Sequence, residues 1–125
     1  MNAAIVQREI KEINILFMFV VKDSQKKKLD DIYLDSYIKS FILKYDKEEN
    51  KHLVTYDNVR NWVVDAKKYS IIIAKDVDYF INMCVDNEEF RQIPRIKWIE
   101  YYLTHPDMKP MEKLGTILKK LNYGQ

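Results

Sequence analysis

Glycine is nearly absent from this chain: there are two in 125 residues, where ordinary usage would give about nine. Both, Gly115 and Gly124, fall near the C-terminal end. Glycine alone enters positive φ without steric cost, so tight hairpins and phosphate-cradling turns lean on it. Its scarcity excludes the Gly-rich nucleotide-binding motifs and favours helices joined by short polar connections. Cysteine is scarcer still. Cys84 stands alone, so no internal disulfide forms, and a reducing compartment such as the cytoplasm is the expected location. The two histidines, His52 and His105, form no pair with a second His or Cys at ligand spacing, which argues against a zinc site. Long apolar runs are missing as well. The longest, Ile15 to Val21, has seven residues, whereas a membrane span needs about 20. Arg8, Glu9, Lys11 and Glu12 crowd the start of the chain, which is unlike a secretory leader.

What is present is an ordinary globular composition, 47% hydrophobic and 32% charged, in a length typical of one domain (1–125). Such a chain buries about two-thirds of its unfolded surface, enough for a core without staples. The net charge of +2 does not by itself announce a nucleic-acid partner. Its distribution is uneven, however: residues 91–125 hold seven basic and three acidic side chains. Nine tyrosines, abundant Lys, Ile and Asn, and little glycine suggest an AT-rich coding genome, as in many phages, viruses and low-GC bacteria.

Periodicity predicts a bundle of five to six helices. The first spans about 2–22, with Val6, Ile10, Ile13, Phe17 and Val20 on one face. It turns apolar all round from Ile15, which fits a central core helix or a contact between copies of the chain. The second covers about 28–45. The third, 56–68, follows Thr55 as N-cap and has Asp57 in its first turn, with Val59, Trp62, Val63 and Ala66 inward. A fourth runs over 75–87. A fifth runs over 94–103, with Pro94 in its first turn. A sixth runs over 107–122, capped by Asp107. The β-branched run in 69–74, with 52–56 as its partner, leaves room for one small two-stranded element, and serves equally as an extended connection. The fold class is all-α.

Catalytic constellations are not evident. His52 and His105 read as solvated loop side chains, and Cys84, between Met83 and Val85, as a buried inert thiol. Asp76, Asp78, Glu88 and Glu89 lack the turn glycine and spaced oxygens of a calcium loop, and read as helix-start and surface carboxylates. The expectation is a non-enzymatic protein with no cofactor and no metal. Two surfaces are candidates for binding. In the first, Arg91, Arg95, Lys97, Lys113, Lys119 and Lys120 alternate with Trp98 and Tyr101, a mixture of residue types enriched in protein–protein hot spots. That makes another protein, or a second copy of the chain, the expected partner. In the second, Arg60, Asn61, Lys67 and Lys68 project from the helix 56–68, a layout suited to nucleic acid. The basic helices 94–122 offer the same alternative. Over about a dozen residues the Val59–Trp62 helix resembles the recognition helix of homeodomains. It departs from that family at Asp65, where a base-reading asparagine would stand, and upstream the helices differ in length and pattern, so membership is not assigned.

Overall fold

The computed structural model describes residues 31–123, and within them the chain is an all-α bundle. Six α-helices follow in order: α1 Asp31–Lys44, α2 Tyr56–Lys68, α3 Ala74–Asp86, α4 Glu88–Arg91, α5 Lys97–Leu103 and α6 Pro110–Tyr123, with a 3-10 turn at Lys51–Leu53. The helix expected over 2–22, its apolar half, the start of the second helix at 28 and Gly124 lie outside the described residues.

The middle of the bundle is α3. Val77, Phe80, Ile81, Met83, Cys84 and Val85 are all buried on it, so it is apolar around most of its circumference, as a central helix must be. It packs against α2, α4 and α6, while α5 pairs with α6 and α1 leans on α2. From α1 come Ile38 and Phe41, joined by Tyr45 just past its end, with Tyr37, Phe41 and Tyr45 spaced four apart and in ring contact. Tyr37 also donates a 2.5 Å hydrogen bond to Asp78 on α3. Asp78 is therefore a partly buried anchor for α1, and the surface role expected from the sequence is corrected. Burial raises the Asp78 pKa above the ordinary carboxylate value, although the Tyr37 hydroxyl and Lys44 act the other way.

Local chemistry sets the helix boundaries. Thr55 caps α2 as expected, its hydroxyl accepting from the Asn58 amide at 3.2 Å, and Val59, Val63 and Ala66 are buried beneath. Of the two readings left open for 69–74, the small two-stranded element does not form among the described residues. His52 and Leu53 coil into the 3-10 turn, Asn58 Nδ2 donates to the Leu53 carbonyl at 2.9 Å, and Tyr56 already opens α2, so 52–56 offers no strand. The isoleucine run serves as a connection: Ile71 is buried and α3 begins at Ala74.

Two further boundaries differ from expectation. Pro94 does not open a helix; the Ile93–Pro94 bond is cis, and α5 starts only at Lys97. The last helix starts at Pro110 rather than near Asp107. Proline at the first helical position sacrifices no useful N–H, and Glu112 reaches back to the Lys109 amide at 3.0 Å, one half of a capping box. The Asp107 amide is satisfied instead by His105 Nδ1 at 3.1 Å.

Among the described residues, one non-glycine residue adopts the left-handed conformation. At the end of α2, Ile71 N–H bonds the Ala66 carbonyl and Ser70 N–H bonds the Lys67 carbonyl, each at 3.0 Å. This is a Schellman closure, and it holds Ser70 at φ 64°. An L-residue with a Cβ pays roughly 1 kcal/mol or more for that conformation. Part of this is offset when glycine replaces it, because glycine loses more freedom on folding. Ser70→Gly is expected to raise stability by about 0.5 kcal/mol, and a β-branched Ser70→Val to lower it. Urea denaturation of the pair checks the sign; a destabilised glycine variant would refute the account.

Candidate interaction surface

Of the eight residues proposed for an aromatic and basic surface, the fold brings four together. On α5, Ile99 and Leu103 point into the core. The spacing then turns Lys97 and Tyr101 outward, with Trp98 and Tyr102 half-buried beside them. Tyr101 is 60% exposed, yet its ring lies edge-on to Tyr102 at 5.2 Å and to His105 at 5.7 Å. Trp98 meets Tyr102 edge-on at 6.4 Å. The ammonium of Lys120, arriving from α6, sits 5.6 Å from the Trp98 ring centre, within cation–π reach. The result is a row of aromatic rings along α5, open to solvent at Tyr101 and bordered by the cations Lys97 and Lys120. Lys119 is exposed on α6, but one residue from Lys120 it is turned about 100° around the helix axis.

The other three residues serve the interior. Arg91 closes α3: Nη1 donates to the Cys84 and Val85 carbonyls at 3.0 and 3.2 Å, satisfying acceptors that a helix end leaves open. Lys113 is buried on α6, and its Nζ donates to the Leu103 carbonyl at 2.7 Å, doing the same for α5. Arg95 lies in the core. Its Nη1 is 2.7 Å from Asp65 Oδ2, with the arginine side chain fully buried. That ion pair rests on charge proximity more than on N–H alignment. Nε donates to the Phe90 carbonyl at 2.7 Å, and the guanidinium is 4.8 to 5.8 Å from the ring centres of Phe90, Phe80 and Tyr69. Burial pulls its pKa down, and Asp65 more than offsets this, leaving the group firmly charged.

Arg60, Asn61, Lys67 and Lys68 are all exposed on α2. Spaced by one and seven residues, they share one sector of the helix, with the 44% exposed Val64 between them. Asp65, at the edge of that sector, is buried and paired with Arg95. The acid that interrupts the resemblance to a homeodomain helix is thus a structural residue.

Tyr102 and His105 extend the aromatic row, and the sequence signal for them was the 98, 101/102, 105 spacing of one helical face. The Tyr69 hydroxyl steadies the back of α5, donating to Glu100 Oε1 at 2.9 Å; burial, with this bond, raises the Tyr69 pKa to about 12. Cys84 is buried, and burial raises its pKa, leaving the thiol protonated and inert at neutral pH. Among the described residues no group of three His, Cys, Asp or Glu is placed to hold a metal ion, and no helix is long and apolar enough to cross a membrane. Comparison with protein families, characterised proteins and solved structures finds no match to this chain.

Proposed function

We propose that this is a non-enzymatic binding protein of the cytoplasm, which docks an acidic segment of another protein on the aromatic face of α5. The observation that carries this reading is Tyr101, well exposed yet held edge-on between Tyr102 and His105. A large side chain already fixed in the free protein forfeits little entropy when a partner covers it. Lys97 and Lys120 supply the charge that selects an acidic partner, and no acidic side chain among the described residues is ion-paired with either. Partners captured from the native host and then titrated against the purified chain provide the test. Tyr101→Ala is expected to weaken binding by about 30-fold, the effect of losing an anchor worth about 2 kcal/mol. Lys97→Glu with Lys120→Glu is expected mainly to slow association. A partner whose affinity ignores both changes would overturn the reading.

A second reading has its own support. The α2 face carrying Arg60, Asn61, Lys67 and Lys68 is exposed as a unit, and charges so disposed suit the phosphates of a nucleic acid. Burial of Arg95 and Lys113 weakens the case for the C-terminal helices in that role. Binding through α2 would fall steeply with salt as counterions are released. A mobility shift at low ionic strength, removed by Lys67→Ala with Lys68→Ala, separates this reading from the first.

A further inference from the structure

A cleft of about 320 Å³ opens where the end of α2 meets the α5–α6 connection. Lys68, Ser70, Thr104, His105 and Lys113 supply its polar walls, and no carboxylate lines it. The unusual member is Lys113. Lysine is almost never this deeply buried without a counter-charge, yet Lys113 is 6% exposed. Its ammonium makes one hydrogen bond, to the Leu103 carbonyl at 2.7 Å, leaving two N–H groups without a carboxylate acceptor among the described residues. Burial lowers its pKa, in keeping with an ammonium deprived of such a partner. Beside it, His105 Nδ1 accepts the Asp107 amide at 3.1 Å, which leaves Nε2 as the ring nitrogen able to donate.

Two helix C-termini adjoin the cleft, and each contributes about half a negative charge. Against these stand two full positive charges, Lys113 seated directly on the end of α5 and Lys68 in the last turn of α2. The balance favours an anion. We propose that this cleft binds the oxyanion group of a small ligand, a phosphate or a carboxylate, with Lys113 as the buried donor and Lys68 and His105 at the mouth. The inference shares His105 with the α5 docking surface but rests on other observations, the cleft and the buried Lys113.

Inorganic phosphate, titrated into the isotope-labelled full-length chain at constant ionic strength with chloride as the control, provides the test. Amide shifts confined to Ser70, Thr104, His105 and Lys113, half-saturating below about 1 mM, are expected. A parallel titration with an acetylated glutamate peptide distinguishes a free phosphate ligand from the carboxylate of a polypeptide, and saturation by either supports the site. Lys113→Met should weaken binding more than tenfold, the usual scale for a charge-assisted hydrogen bond. Lys113 also closes α5, so the exposed Lys68→Ala supplies a second variant that leaves the core untouched, with an expected loss of about threefold. Shifts no larger than those of chloride, shifts scattered over surface lysines, or affinity indifferent to Lys68→Ala would overturn the proposal. No protein partner enters this experiment, so its failure leaves the docking reading standing.

Discussion

Replacing Asp65 by alanine is expected to destabilise the bundle by about 3–5 kcal/mol, the usual consequence of stranding a buried charge. The reason lies with the residue left behind. Arg95 is enclosed by Phe80, Phe90 and Tyr69, its side chain has no solvent exposure, and arginine cannot shed its proton to escape. The rings attract the cation, worth about 2 kcal/mol where it is desolvated, which falls short of the several kcal/mol needed to bury an ion. Asp65 at 2.7 Å supplies the remainder. The same logic makes Asp65→Leu combined with Arg95→Met less harmful than Asp65→Ala alone, because the double change removes both charges and keeps the volume apolar. Full recovery is not expected, since the Phe90 carbonyl loses the Arg95 donor at 2.7 Å and an unpaired buried acceptor costs about 1–3 kcal/mol. Denaturant unfolding at neutral pH measures all the variants. A loss below about 1 kcal/mol for Asp65→Ala, or strict additivity in the pair, would refute this account of the core.

That ion pair also marks the boundary of what the sequence could disclose. Features decided within a turn or two were legible: the Thr55 cap, the inward Val59, Val63 and Ala66, and the burial of Cys84 within α3. Where two local rules competed, the wrong one was preferred. Pro94 and Asp107 both look like helix starts, yet Pro94 follows a cis bond and the Asp107 amide is taken by His105. The helices begin at Lys97 and Pro110. For the three successive isoleucines the sequence left a short strand and an extended connection equally open; with 52–53 coiled into a turn, the connection is what forms. Tertiary facts were out of reach. Nothing local tells that Arg95 turns inward while Lys97, two residues on, turns outward. Nor does any local pattern show that Arg91 and Lys113 reach the carbonyls at the ends of α3 and α5. Of the proposed surface, Lys97, Trp98, Tyr101 and Lys120 gather because α5 and α6 are adjacent. Their juxtaposition rests on the one ring-to-ammonium contact between Trp98 and Lys120.

Phe90→Ala is expected to cost about 3–5 kcal/mol, the range for deleting a buried aromatic ring, and to do so by releasing α4 from α3. A helix of four residues has no stability of its own, because nucleation alone is unfavourable and few bonds repay it. Glu88 to Arg91 stays helical because Phe90 is fully buried, edge-on to Phe80 on α3 at 5.2 Å. The ring also forms one wall of the Arg95 pocket at 4.8 Å, and its backbone carbonyl holds Arg95 Nε. Removing it therefore opens a cavity beside a charged group, where water can enter. That hydration would soften the cost of stranding the cation, so the double variant Phe90→Ala with Asp65→Ala should lose less than the sum of the two single losses. Phe90→Leu, which keeps most of the volume, should lose far less than the alanine variant. Amide hydrogen exchange gives the local readout. The amides of Phe90, Arg91 and Gln92, which bond back to Asn87 and Glu88 carbonyls, should lose protection well before those of α3. Uniform loss across both helices would mean that α4 and α3 open as one unit, and the anchoring role assigned to Phe90 would be wrong.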